Sequence, residues 1–268
     1  MTVSADLYPS PVDSERRFSG LARLYGQESA RSIRSAHVAV IGIGGVGSWA
    51  AEALARSGIA ELTLVDMDHV SESNINRQLH ALTDTVGQSK IEAMAQRIGQ
   101  INPACKVHLV DDFVTQDNWP GILRSEVDAV IDACDQVRAK TAIAAWARLN
   151  KKLMISVGAA GGKRAAHLVE IGDLSVCTHD PLLAQLRYRL RKEHGAPKEG
   201  KSIGVSCVYS KEAVRGPDAP CALEGDGTLN CHGYGSMVSV TATFGMCAAG
   251  WIIDKLSSNS VLTQKTAL

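Results

Sequence analysis

No sign of charge dominates this chain. Lys plus Arg and Asp plus Glu each number 28 in 268 residues, for a formal net charge of zero. Whole-chain charge therefore neither announces nor excludes a polyanionic partner, and only local patches bear on that question. No C-x-x-C pair is present, and the seven cysteines (105, 134, 177, 207, 221, 231 and 247) are odd in number. That pattern argues against a disulfide framework and against a paired-cysteine zinc site, so reduced thiols are expected. The opening MTVSADLYPSPVDSERRF has no apolar run behind a basic segment. A secretory leader is not expected, and a cytoplasmic location is. Internal repeats and low-complexity tracts are also missing. What is there is a 45% apolar share, enough for one large core or one core with an appended lobe in a soluble, globular chain.

One uncharged stretch, from Gly233 to Ile253, is long enough to span a bilayer. Its scattered Ser, Thr and Gly favour instead a helix buried in the core or in a subunit interface. Membrane association through 233–253 is the minor alternative.

Between 37 and 157, short apolar runs alternate with longer amphipathic ones. HVAVIGI (37–43), ELTLVD (61–66), KVHLVD (106–111), VDAVID (127–132) and KLMISVG (152–158) read as strands, with helices around 46–57, 88–101 and 138–149. Alternation of this kind predicts an α/β, Rossmann-like, doubly wound and mainly parallel sheet, helices on both faces, ligands at the carboxyl ends of the strands. After 160 the pattern loosens. AAHLVEI and SIGVSCVYS read as further strands, DPLLAQLRYRLRKEH (180–194) as a helix, GAPKEGK (195–201) as a flexible loop and 211–230 as turn-rich. The expected organisation is an N-terminal arm and helix (1–30), a nucleotide-binding core (31–170) and a C-terminal, substrate-facing and dimer-contact portion of the same domain (171–268).

Directly after the first strand, Gly42, Gly44, Gly45 and Gly47 open a helix. Such a turn brings backbone N–H groups and a helix N-terminus against a nucleotide, and Asp66 follows at the spacing of a ribose-binding acid. Alone, these features fit a nicotinamide dinucleotide equally well. Downstream, Asp68, Asn74, Arg77 and Gln78 lie in VDMDHVSESNINRQLH, followed by Lys90. A dinucleotide needs no such cations, whereas a triphosphate suits them. Asp135, just past a strand end, is placed for a Mg2+ ion bridging phosphates.

Glycine loop, D-x-D, N-x-x-R-Q, Lys and D-x-x-D in that order resemble the ubiquitin-activating-enzyme-like superfamily over about residues 15–160. Its bacterial members include the adenylyltransferases of molybdopterin and thiamine biosynthesis. The resemblance implies ATP and Mg2+, with Gly44 touching the nucleotide, Asp66 the ribose, Asn74, Arg77 and Lys90 the phosphates, and Asp135 the metal. Two departures stand out. Gln136 follows Asp135 where relatives commonly have Asn, and Gly20 stands where many relatives send an arginine into the partner subunit's site. Arg23, one helical turn later, is the nearest substitute, so a homodimer is implied.

Over nearly the whole chain, GxGGVGSWAAEALARSGI, INPACKVHLVDDFVT, GVSCVYSKEA and GYGSMVSVTATFG are similar to the tRNA threonylcarbamoyladenosine dehydratase branch. That branch activates the carboxylate of a threonylcarbamoyl group on the adenosine beside the anticodon, then cyclises it. The partner implied is tRNA bearing threonylcarbamoyladenosine. A cysteine desulfurase or sulfur-acceptor pair, with Cys207 or Cys231 taking sulfur, and a monovalent cation (Na+ or K+) stay open. Arg187, Arg189, Arg191, Lys192, Lys198 and Lys201 form the clearest basic patch, suited to tRNA phosphates or to an ordinary solvated face. Activation of a ubiquitin-like sulfur carrier is the alternative function, disfavoured by the missing C-x-x-C pairs; a nicotinamide-dependent dehydrogenase is the weaker one.

Overall fold

The computed structural model describes residues 13–123, 125–198, 200–216 and 234–265. The first part of the N-terminal arm, Cys221, Cys231 and Gly233 lie outside the described residues. Two helices lead in: α1 (Ser14–Tyr25), capped by the Asp13 carboxylate accepting from the Arg16 N–H, and α2 (Gln27–Ser35). Then come β1 (His37–Ile41), α3 (Gly47–Arg56), β2 (Glu61–Val65), α4 (Lys90–Ile101), β3 (Lys106–Val110), β4 (Ala129–Asp132), α5 (Val137–Asn150) and β5 (Leu153–Val157). The chain closes with β6 (Val169–Asp173), α6 (Pro181–Glu193), β7 (Ser206–Ser210) and α7 (Val238–Lys265).

The seven strands form one sheet in the order β3-β2-β1-β4-β5-β7-β6. All neighbours are parallel except β6, which runs antiparallel to β7. Because both faces are covered, the central strands read as unbroken apolar runs; all five residues of β1 are buried. One face carries α2, α3, α4 and α7, through residues such as Ile33, Leu54, Met94 and Phe244. The other carries α5 and α6, through Ile143, Leu186 and Leu190. Strand order reverses between β1 and β4, which opens a crevice at the carboxyl ends of the strands.

The preferred reading of the uncharged C-terminal stretch holds, its minor alternative falls, and two other expectations shift. The 233–253 stretch is not a membrane span: among the described residues no helix is long and apolar enough to cross a membrane. Helix α7 instead begins at Val238 and presses Val240, Phe244, Ala248, Ile252 and Ile253 into the core. Ala196, in the stretch expected to be a flexible loop, is tied down: its N–H donates to the Leu190 carbonyl and its side chain is buried. The strand read from Ser202 starts only at Ser206, because residues 202–204 fold onto Asp173.

Candidate functional site

A cavity of about 430 Å³ opens at the ends of β1, β2 and β4, within the range of roughly 300–1,000 Å³ usual for small-molecule sites. Gly42 sits at φ +86°, a conformation side chains resist, and a Cβ there would come within 2.9 Å of the Ala133 carbonyl oxygen. At Gly47 a Cβ would collide with the Gly42 carbonyl oxygen. Gly47 thus shapes the turn from inside without lining the cavity, whereas Gly42, Gly44 and Gly45 line it. No side chain caps α3, whose Ser48 and Ala50 N–H groups donate to the Gly44 and Val46 carbonyls of the turn itself.

Asp66 directly follows β2 and is buried. Its Oδ2 accepts from the Ile43 N–H at 2.6 Å and its Oδ1 from the Asp68 N–H at 2.9 Å. Burial pushes its pKa up, against the pull of Lys90 and of those two N–H groups. Lys90 opens α4 with its side chain buried, and Nζ lies 2.7 Å from Asp68 Oδ2. Nearby, Asn74 closes a short 3-10 turn, its Oδ1 accepting from the Ser71 N–H, and so fixes the segment bearing Arg77 and Gln78. Arg77 donates to the Ser73 carbonyl and Asn76 Oδ1. Its own carbonyl is held by Trp49 Nε1 from α3 and by the Thr241 hydroxyl from α7. Gln78 is buried, and among the described residues its Oε1 has no hydrogen-bond partner. Asp135, exposed between β4 and α5, lines the same cavity. Asp66, Asp68, Asn74, Arg77, Gln78, Lys90 and Asp135 therefore converge on one space.

Arg23 does not. It is exposed on α1, whose Phe18 packs on Gly58 and whose Arg17 donates to the carbonyls of Gln100 and Ile101, all near the amino ends of the strands. The following helix is tied to the Leu256 and Ser257 carbonyls, far along α7 from the cavity-lining Thr241. The basic patch also divides. Arg187 donates to the Leu174 and Cys177 carbonyls, Arg191 to the Pro197 carbonyl, and Arg189 pairs with Glu193. Lys192, Lys198 and Lys201 remain exposed, Lys192 with Nζ 5.6 Å from the Tyr188 ring centre. Cys207 is fully buried, and burial together with Cys177 pushes its thiol well up, the reverse of what a sulfur acceptor needs.

Sequence reasoning missed the support beneath the cavity. Lys140 Nζ lies 3.1 Å from Asp132 Oδ2, and Ser156 donates to the same oxygen, with Asp132, Lys140 and Ser156 all fully buried. Cys134, which lines the cavity, donates to Asp132 Oδ1. Asp180 accepts from the Ala159 and Leu183 N–H groups and joins the end of β5 to the start of α6. Short motif spacing could not reveal these partners. Thr241 had a signal, lying in GYGSMVSVTATFG, but its reach to Arg77 depends on how α7 crosses α3.

Residues 18–267 match the ThiF family. The tRNA threonylcarbamoyladenosine dehydratase of Escherichia coli is 46% identical over 91% of this chain and 95% of its own length. The enzyme of the same name from Haemophilus influenzae is 44% identical over 90% and 94%. A crystal structure of the E. coli enzyme TcdA in complex with ATP superposes with a TM-score of 0.84 at 44% identity, covering 94% of this chain and 99% of that one. The complex of the same enzyme with AMP gives 0.84 at 45% identity, with the same coverage. By contrast, a molybdopterin-synthase adenylyltransferase from Salmonella typhimurium is 33% identical over only 51% of this chain. The match runs from α1 to the end of α7 and takes in the glycine turn, the cavity and both sheet faces, so the chain belongs to the ThiF family.

Proposed function

We propose that this chain is an ATP-dependent tRNA threonylcarbamoyladenosine dehydratase. What carries the reading is a full-length likeness to an enzyme of that name, solved with ATP and with AMP, joined to a cavity that gathers the expected nucleotide residues. The cavity fits a nucleoside triphosphate: a glycine turn that excludes side chains, a Gln78 Oε1 without a partner among the described residues, and the Lys90 ammonium and Arg77 guanidinium. Asp135 offers an accessible carboxylate suited to a hard divalent ion that keeps waters and phosphate oxygens as its other ligands. Bound there, Mg2+ would neutralise charge on the leaving pyrophosphate.

In this reading Asp66 accepts the ribose hydroxyls while Arg77 and Lys90 hold phosphate oxygens. A carboxylate oxygen of the threonylcarbamoyl group attacks the α-phosphorus, the bond to the β-phosphate bridging oxygen breaks, and pyrophosphate leaves. A nitrogen of the same group then attacks the activated carbonyl, expelling AMP and losing its proton. Tethering raises its effective concentration, and oxide alone would be a very poor leaving group. The likeness to a carrier-activating relative stops at about half the chain, which favours the tRNA substrate. Arg23 has a place in this scheme only across a dimer, from a second copy of the chain.

The test is mass spectrometry of tRNA nucleosides treated with enzyme and ATP. Cyclic threonylcarbamoyladenosine should form with release of pyrophosphate and AMP. Asp135→Ala should keep its circular dichroism spectrum and lose ATP–pyrophosphate exchange. Normal exchange in that variant would remove Asp135 from the metal site.

A further inference from the structure

At the end of the sheet away from the nucleotide cavity, three metal-ligand side chains meet. His37 begins β1, Glu61 begins β2 and His108 lies within β3. Their grouping follows from register: His37 pairs with Glu61, and His108 pairs with Thr63, two residues beyond Glu61 on the same strand. Side chains alternate along a strand, so all three project from one face. One candidate ligand atom from each lies within 4.8 Å of the others. His108 Nε2 and Glu61 Oε2 are 3.1 Å apart. Two ligands each about 2.1 Å from a tetrahedral ion would stand roughly 3.4 Å apart.

The tautomer of His37 is settled by its neighbours. Its Nδ1 lies 2.8 Å from the Glu126 carbonyl oxygen, which can only accept, so Nδ1 carries the proton. In the neutral ring the Nε2 lone pair then points toward the Thr63 hydroxyl, 2.8 Å away. A ring nitrogen anchored on a backbone carbonyl, with the opposite nitrogen presented, is the usual support of a metal-bound histidine. We propose that His37 Nε2, Glu61 and His108 Nε2 form a three-ligand site for a zinc-class divalent cation, clipping the amino ends of β1, β2 and β3 together. Two imidazoles and one carboxylate suit such ions rather than Mg2+. Lys106, whose Nζ is 3.0 Å from Glu61 Oε1, leaves Oε2 to the ion and is itself largely exposed. Thr63 Oγ1 now occupies that lone-pair direction, so metal binding requires the Thr63 side chain to turn about its Cα–Cβ bond and swing the hydroxyl aside. This ion would lie apart from the adenylation chemistry, so the proposal stands whatever the substrate.

The competing occupant is a proton: an Nε2–H of His108 donating to Glu61 makes the same short contact with no metal. Full-length protein stripped with a chelator and held in excess Mg·ATP is titrated with Co2+, read by its visible absorption, and then with Zn2+ against a chromophoric chelator. One equivalent should bind, and Zn2+ should raise the melting temperature. His108→Ala and Glu61→Gln should each weaken binding by roughly 100-fold or more and abolish that rise. ATP–pyrophosphate exchange should be unchanged in both, which shows that they are folded. Absence of a Co2+ spectrum in the wild type, or equal Zn2+ affinity in wild type and both variants, overturns the proposal.

Discussion

Lys140 is a cation with no solvent at all, and it survives there because three oxygens surround it. Its Nζ donates to the Asp132 carboxylate, the Asp132 carbonyl and the Ser156 hydroxyl. Burial pulls its pKa down, yet Asp132, together with the nearby Cys134 and Cys207, offsets that, and the net shift is upward. Breaking such a pair strands a charge in the core. Lys140→Met should therefore lower stability by about 3–5 kcal/mol in urea unfolding. The double variant Asp132→Asn, Lys140→Met should lose less than the two single changes together, because no uncompensated charge remains. A loss below about 1 kcal/mol in the single variant would show that the pair does not hold the strand ends. Residues such as Asp66, Asn74, Arg77 and Lys90 were legible in the sequence because their motif packs them at short, ordered spacings. Lys140 and Asp180 were not: both types are ordinarily exposed, and their partners are set by how β4, β5 and α6 come together.

Between elements, the clearest tie is the Asp173 carboxylate at the end of β6. It accepts from the N–H groups of Ser175, Ile203 and Gly204 and from the Ser202 hydroxyl, at 2.8–2.9 Å. Burial would raise its pKa, but these donors overcome that and hold it below the usual carboxylate range. A depressed folded-state pKa means stability that is fully present above the unfolded value near 3.8 and is lost as pH falls through the folded value. Asp173→Asn should therefore cost about 1–2 kcal/mol at pH 7, allowing for solvent screening, and the gap from wild type should close below about pH 4. Chemical unfolding across pH checks this; a gap constant down to pH 2 would contradict it. The same tie explains a misread boundary. Ser202 and Ile203 have strand-like neighbours in the sequence, yet a carboxylate 30 residues upstream bends them away, and β7 starts at Ser206. The parallel strands had no such competitor. Their apolar runs ended in Gly or Asp at the cavity, and those boundaries were readable within a residue or two. Helix α7 was readable as buried but not in its reach, because Thr241 bonds a carbonyl 164 residues away.

At the scale of the whole molecule, 28 cations balance 28 anions, so any hold on tRNA must come from how cations are distributed. Helix α6 connects the two relevant regions. Pro181 and Leu182 at its start line the nucleotide cavity, and Lys192 lies 11 residues on, about 16 Å along the axis. A polyanion with its modified adenosine in the cavity could lay backbone along that helix. The structure also decides which side chains to test. Arg187 and Arg191 hold the fold through backbone carbonyls, so replacing them would confound binding with stability. Lys192, Lys198 and Lys201 are exposed. Their joint replacement by Ala should weaken all tRNAs about equally. The slope of log affinity against log salt should fall by roughly 0.7–0.9 for each phosphate left without its lysine. ATP–pyrophosphate exchange should be unaltered, because none of the three lines the cavity. Affinity measured over a salt series for the wild type and the triple variant decides the matter. Parallel lines of equal slope would make this end of α6 an ordinary solvated face and move the tRNA path to another surface of the molecule.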